Sequence, residues 1–207
     1  MDVFEAIATT RAMRRLDPAR EVSDADLAKI LRAATKAPTA KNEQQFRWVV
    51  VRDREQRRRI GELYARISRS LPAMDARDPA SDRLRRSVDH LAAHMDEAPL
   101  IVVAFGQGPD DMRMAASVYP AVQNLMLAAR ALGLGTTMTT RHRLVQDETR
   151  ALLGAPPDAS VYAVIPLGYP LGPWREAQRR PVREVAYLDY WGSAFEGADE
   201  PFGTRSG

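Results

Sequence analysis

The chain has 207 residues, a formal net charge of +3 and 45 % hydrophobic residues, a composition typical of a globular protein. It has no cysteine, which excludes disulfides and thiol catalysis. No apolar run is long enough to cross a bilayer, and residues 1–15 lack the apolar stretch of a signal peptide, so we expect a cytoplasmic protein. Nearly all the positive charge is arginine, since only Lys29, Lys36 and Lys41 are lysines.

Apolar residues at helical spacing predict three helices in the first half of the chain. The first covers residues 2–10. The second begins after Ser23, a typical N-cap, and ends before Pro38. The β-branched run at residues 48–51 predicts a buried strand. Asp53 then opens the third helix as part of a capping box.

The second half of the chain has patterns that predict a longer series of elements. They are, in order, a surface loop at 71–82, a helix through Leu84, Val88, Leu91 and Met95, a strand at 100–105, a buried helix at 114–132 with Gly133 as its cap, a strand at 136–140, a helix at 147–153 and a strand at 161–167. The chain is irregular from residue 168 onward. Helices that alternate with a few strands predict a sheet covered by helices on both faces.

Three patterns suggest other chemistries but are incomplete. Gly106 and Gly108 follow a strand, as in a dinucleotide-binding turn, but the third glycine of that motif is absent. His90 and His94 have a metal-binding spacing but lack the usual glutamate, so we interpret them as a surface or interface pair and expect no metal. The arginines at 57–59 alternate with acidic residues, which favours a solvated helix face over a nucleic-acid patch.

Four polar segments indicate the function. They are the arginine-rich stretch 9–16, the amide-rich loop 37–46, the hydroxyl-rich stretch 133–140, and residues 168–170 followed by the basic pair 179–180. Amide side chains supply paired donors and acceptors, which suit the edge of a heterocycle. Each segment alone is a weak signal, but their order and spacing together are specific.

Together these segments resemble the nitroreductase family, from about residue 3 to about residue 191, and especially a subgroup with a Thr-Thr-Arg-x-x-Arg opening motif. The resemblance implies an α+β fold with a mainly antiparallel central sheet of four to five strands flanked by helices. It also implies a single FMN-binding domain over residues 1–207, with a C-terminal arm at about 183–207. The expected assembly is a homodimer with FMN at the subunit interface. The apolar helix at 114–132 and the aromatic tail at 187–191 agree with a dimer.

The family's motifs, carried over residue by residue, imply a set of FMN contacts. These are Arg11, Ala12, Met13 and Arg14 for the phosphate and ribityl chain; Pro38, Thr39, Ala40, Asn42 and Gln44 from the other subunit; Met138, Thr139 and Thr140 for the ring, through main-chain groups; and Arg179 for the phosphate. The chain departs from the family at Thr10, Ala12 and residues 45–46, where many relatives have arginine, serine and a Pro-Trp pair. Whether Arg15 contacts the phosphate or solvent stays open.

The resemblance implies an oxidoreductase that uses NAD(P)H to reduce nitroaromatic, quinone or related electrophilic molecules. The flavin supplies the chemistry, so no catalytic side chain is expected. The chain has no room for a second nicotinamide-binding domain, so we expect a ping-pong mechanism. One alternative is a member of the same fold that handles or sequesters flavin without nitroreductase activity. A basic nucleic-acid-binding protein is a more remote alternative, because acids interleave with the arginines and few aromatics lie near them.

Overall fold

An antiparallel sheet lies at the centre of the protein, in a computed structural model that describes residues 1–72 and 78–195. Within those residues the strands are β1 (Phe46–Val51), β2 (Leu100–Gln107), β3 (Gly135–Thr136) and β4 (Ala159–Gly168). They lie in the order β1-β2-β4-β3, and every neighbouring pair is antiparallel. The helices are α1 (Val3–Thr9), α2 (Asp24–Ala34), α3 (Arg54–Ser70), α4 (Pro79–His94), α5 (Met112–Ala131) and α6 (Gln146–Leu153). The predicted α+β fold with a four- to five-stranded antiparallel sheet is confirmed.

Helices cover both faces of this sheet. β2 and β4 are almost entirely apolar and are buried on both faces, as two-sided packing requires. One face contacts α2 and α5, where Val118 and Leu125 are fully buried. The other face contacts α3 and α4, where Ile60 and Leu91 are buried. In residues 1–72 and 78–195, no helix has the length and apolar character needed to span a membrane.

The predicted helix ends are largely correct. The Ser23 side chain accepts a hydrogen bond from the N–H of Asp26 and caps α2. Asp53 accepts from the N–H of Gln56 in the same way at the start of α3. Gly133, with φ of 76°, follows α5 in the left-handed conformation that a glycine C-cap adopts at low cost.

Two strand predictions need correction. The residues predicted as a buried strand at 48–51 belong to β1, an edge strand that pairs only with β2, so Trp48, Val49 and Val50 are half-buried. The strand predicted at 136–140 is confined to Gly135–Thr136, followed by a single bridge between Thr139 and Val164. The segment therefore stays close to β4 but pairs with it only in part.

Two predictions around α3 and α4 also need correction. α4 begins at Pro79, inside the loop predicted at 71–82, because Asp78 and Ser81 form a capping box there. Residues 73–77 of that loop lie outside the described residues. The predicted solvated arginine face of α3 is correct for Arg58, which pairs with two glutamates, but not for Arg57. Arg57 Nη1 instead donates to the backbone carbonyls of Asp96 and Ala98, and so fastens α3 to the chain that precedes β2.

Candidate flavin site

The segment that follows α1 lies beside β3. The N–H of Met13 donates to the carbonyl of Thr136 at 2.9 Å, and Thr137 Oγ1 donates to the carbonyl of Met13 at 2.9 Å. The Met13 side chain is buried against Gly135, where an added Cβ would lie only 2.8 Å from Met13 Cβ. Successive residues of an extended chain point to opposite sides, so burial of Met13 turns Ala12 and Arg14 away from the core.

Arg14 lies in a strongly cationic environment. Its side chain is half-buried, and Nη1 donates to Ser87 Oγ of α4 at 3.4 Å. Burial is the main cause of its lowered pKa, and the guanidiniums of Arg11 and Arg141 lower that pKa further. Among residues 1–72 and 78–195, no carboxylate forms an ion pair with any of these three arginines. We call Arg11, Arg14 and Arg141 the cationic edge.

Arg141 was not among the predicted site residues. Its Nη1 donates to Ser68 Oγ of α3 at 2.5 Å, and its guanidinium carbon lies 5.3 Å from the centre of the Tyr64 ring. The next residue, His142, is fully buried, stacks on Tyr64 and bonds through Nε2 to the carbonyl of Ile60 at 3.1 Å. Burial lowers the pKa of His142 to about 4, so this imidazole is neutral at pH 7. The available sequence signal was the position of Arg141 directly after the segment predicted to contact the ring.

The segment Met138, Thr139 and Thr140 leads into Arg141. Thr139 exchanges two backbone hydrogen bonds with Val164, at 3.0 and 2.8 Å, and the carbonyl of Thr140 accepts from Arg143 at 3.0 Å. In the described part of the chain, the N–H groups of Met138 and Thr140 have no hydrogen-bond partner. The Met138 side chain is 43 % exposed. This segment therefore presents two backbone donors next to the cationic edge.

The amide-rich loop has an unusual backbone. Lys41, Asn42 and Gln44 have φ of 51°, 57° and 51°, and they account for three of the four non-glycine residues with positive φ in residues 1–72 and 78–195. Such conformations cost on the order of 1 kcal/mol each and concentrate at functional sites. The N–H of Ala40 donates to Ser117 Oγ of α5 at 3.2 Å, which fixes the loop to the core.

Exposed polar groups cover this loop. Pro38, Asn42 and Gln44 are exposed, and Thr39 Oγ1 accepts from the N–H of Gln44 at 3.1 Å. The loop leads directly into β1, whereas residues 138–140 lie beyond β4 at the other edge of the sheet. Three strand spacings, about 14 Å, separate β1 from β3. One chain therefore does not bring the two halves of the predicted site together.

Arg179 lies near the end of α1. The N–H of Ala177 donates to the carbonyl of Ala8 at 3.2 Å, which holds the irregular tail against the helix that leads to Arg11. Arg179 itself is exposed and donates to the carbonyl of Gln178 at 2.9 Å. Arg11 and Arg179, both predicted to contact the phosphate, thus lie on neighbouring chain segments.

The chain belongs to the nitroreductase family, whose family model matches residues 7–169. It is 32 % identical over 166 residues to a putative NADH dehydrogenase/NAD(P)H nitroreductase of Archaeoglobus fulgidus, an alignment that covers 78 % of this chain and 82 % of that protein. Solved structures of other proteins share its fold. A BluB-like flavoprotein from Clostridium difficile 630 superposes with a TM-score of 0.73 at 23 % identity, over 91 % of this chain and 99 % of that one. The FMN-dependent nitroreductase NfnB from Mycobacterium smegmatis, solved in complex with NADPH, superposes with a TM-score of 0.70 at 21 % identity, over 90 % and 97 %.

The residues at the β3 edge suit FMN on chemical grounds. A phosphate monoester with close to two negative charges needs cationic donors, and arginine forks bind it well. The ring's polar atoms need donors and acceptors along one edge, and the N–H groups of Met138 and Thr140 are donors of the kind required. In the described part of the chain no carboxylate forms an ion pair with the cationic edge. Its positive charge is therefore available for an anion.

Proposed function

We propose that this protein is an FMN-dependent oxidoreductase that uses NAD(P)H to reduce nitroaromatic, quinone or related electrophilic molecules. The observation that supports this most is the uncompensated cationic edge beside the backbone donors of residues 138–140. On α3, by comparison, Arg58 and Arg66 pair with carboxylates, and Arg57 donates to two backbone carbonyls. Arginines without such partners, next to unused N–H groups, favour an anionic ligand with a polar ring.

We assign different tasks to the residues of this edge. Arg11 and Arg179 hold the phosphate, because both project from segments at the end of α1. The N–H groups of Met138 and Thr140 donate to the ring. Met13 uses its own N–H and carbonyl within the protein, so its task is to hold the flanking residues in place.

A homodimer completes the proposed site. The loop of Pro38, Thr39, Ala40, Asn42 and Gln44 lies at the opposite edge of its own sheet from residues 138–140. This separation favours contact of its exposed amides with the flavin of a second subunit, as the family resemblance implies. The single-domain organisation and the cytoplasmic location stay predictions.

We propose that the C-terminal arm holds the two subunits together. Residues 187–194 form a small hairpin closed by a bridge between Tyr187 and Ala194, and the rings of Tyr187 and Trp191 lie 5.2 Å apart. Tyr190 and Trp191 are 78 % and 93 % exposed in the isolated chain. Large aromatic surface of this kind usually marks a contact with another chain.

Bound FMN would accept a hydride from the nicotinamide and pass electrons to the acceptor. The protein's contribution is to hold the flavin, expose one face and place each substrate there in turn. Hydride transfer needs reacting atoms about 3–3.5 Å apart, which one exposed face cannot offer to two ligands at once. We therefore propose that NAD(P)H and the acceptor use the same space alternately.

Absorption spectroscopy and steady-state kinetics test this function. The purified protein should show a flavin spectrum that anaerobic NADPH or NADH bleaches, and a quinone should restore it. Double-reciprocal plots at several quinone concentrations should be parallel, as expected of a ping-pong mechanism. Intersecting lines would contradict alternate use of one space. A bound flavin that neither nicotinamide bleaches would favour the flavin-handling alternative, and a protein that never binds FMN would refute the proposal.

A further inference from the structure

We propose that Arg141 acts beside Arg14 on the ring end of the bound flavin and raises the flavin's reduction potential, whereas Arg11 and Arg179 hold the phosphate end. This assignment rests on the proposed function and deepens it. It divides the basic residues of one site into two groups with different effects. Arg141 is then a positioning and tuning residue that the family motifs do not identify.

The strand pairing separates these two ends. Arg11 follows α1 directly, and Arg179 lies two residues beyond the contact between Ala177 and Ala8. From Arg11 the chain runs parallel to residues 135–137, through the bridge of Ala12 with Thr136. Arg14 therefore lies further along the segment, toward residues 138–140 and away from α1.

Arg141 is fixed at that second end. It directly follows Thr140, whose N–H is one of the two proposed ring donors. Ser68 Oγ holds one of its nitrogens at 2.5 Å, and the Tyr64 ring lies beside its guanidinium. Tyr64 also interacts electrostatically with Arg14, so the two arginines converge on a common neighbour. No described carboxylate offsets their charge.

Charge at this end has a direct consequence for redox chemistry. Hydride transfer delivers two electrons and one proton, so the ring gains one negative charge unless a second proton is taken up. Nearby cations stabilise the anionic reduced ring more than the neutral oxidised ring. They therefore raise the reduction potential of the flavin. Cations beside the phosphate lie farther from the added charge, so they affect mainly affinity.

The test compares Arg141→Gln with the wild-type holoprotein and with Arg66→Gln, an exposed arginine of α3 that pairs with Glu148. Midpoint potentials are measured by anaerobic dye equilibration with the protein in excess over FMN, so that all the flavin is bound. We expect Arg141→Gln to weaken binding of the reduced flavin relative to the oxidised flavin about tenfold, a potential lower by about 30 mV for a two-electron couple. The pH at which the second proton is taken up should rise. Arg66→Gln should match wild type in both measurements.

Titration of the apoprotein with FMN and with riboflavin, which lacks the phosphate, gives a second readout. Arg141→Gln should weaken both ligands by the same factor. A loss confined to FMN would place Arg141 at the phosphate and overturn the assignment, as would an unchanged potential.

If Arg141→Gln folds poorly, Ser68→Ala removes the anchor of Arg141 and should shift the potential in the same direction by a smaller amount; no shift would overturn the assignment. Failure of wild type to bind FMN would refute the proposed function itself, whereas wild-type binding with an unaltered variant would refute only this inference.

Discussion

The two halves of the candidate site are built in opposite ways. The half at β3 is held by regular backbone pairing, with Met13 bonded to Thr136 and Thr139 to Val164. The half at the 38–44 loop is held in left-handed backbone conformations at Lys41, Asn42 and Gln44. The first half offers cations and unused N–H groups, and the second offers exposed amides.

This difference agrees with the proposal that two subunits share one site. The β3 half has its geometry fixed by its own subunit, so in our proposal it can bind the charged end of FMN without the partner subunit. The loop half lies across the sheet, and in the proposed dimer it serves the neighbouring subunit. Flavin binding should then depend on the dimer through the loop and on local charge through the cationic edge.

The largest expected effect comes from separating the two halves. Truncation after Val182 removes Tyr190, Trp191 and the rest of the arm. We expect a monomer that loses its FMN, because the loop half no longer reaches the flavin. Size-exclusion chromatography with light scattering measures the mass, and the absorption spectrum measures retained flavin.

A matched truncation after Phe195 serves as the control. It keeps the hairpin of residues 187–194, so dimer and flavin should both persist. If the chain that ends at Val182 is a monomer and still binds FMN with wild-type affinity, the shared site is contradicted.

The next largest effect is expected from a substitution in the β3 half alone. Arg11→Gln should weaken FMN binding by about 1.5–3 kcal/mol, the usual cost of a lost hydrogen bond to a charged group, or roughly 10–150-fold in Kd. Riboflavin binding should not change, since it lacks the phosphate. Isothermal titration of the apoprotein gives both constants. Arg58→Gln, whose partners are Glu55 and Glu62, is the control and should leave both unaltered.

The two halves also differ in how far the sequence predicted them. Periodicity and capping residues located the helices well, because a signal such as Ser23 acts within a few residues. Edge position and pairing length depend on neighbours in space, so the partial exposure of β1 and the brief pairing of β3 were missed. Arg141, which we propose as a site residue, was not predicted for a similar reason: its contacts with Ser68 and Tyr64 join residues more than seventy positions apart. The roles of the remaining predicted site residues stay predictions.

Acid should destabilise the protein through a buried histidine that lies beside the cationic edge. His142 stacks on Tyr64 and directly follows Arg141 in the chain. Burial lowers the pKa of His142 to about 4 from the ordinary histidine value of 6.5. A lowered folded-state pKa means that the unfolded chain binds the proton more readily as pH falls, so stability is lost between pH 6.5 and 4. From pH 7 to pH 5 the loss should be about 2 kcal/mol. Urea unfolding at both pH values measures it.

His142→Gln provides the comparison, because glutamine can still donate to the carbonyl of Ile60 but does not titrate. Its stability should change less between pH 7 and pH 5 than that of wild type. Equal pH dependence in the two proteins would show that His142 is not the responsible group.

The smallest effect concerns strain in the loop half. Lys41 has φ of 51° and ψ of 20°, a conformation that glycine adopts without the steric cost that a Cβ imposes. Lys41→Gly should therefore raise the free energy of unfolding by up to about 0.6 kcal/mol, the strain relieved less the extra freedom of glycine in the unfolded chain. Lys36→Gly is the matched control, since Lys36 lies just before the same loop without a positive φ, and it should be neutral or destabilising. Because the loop backbone is preserved, FMN affinity of Lys41→Gly should stay close to wild type. Equal destabilisation by the two substitutions, measured by urea unfolding, would mean that the loop is not strained at Lys41 and that the contrast between the two halves does not extend to their energetics.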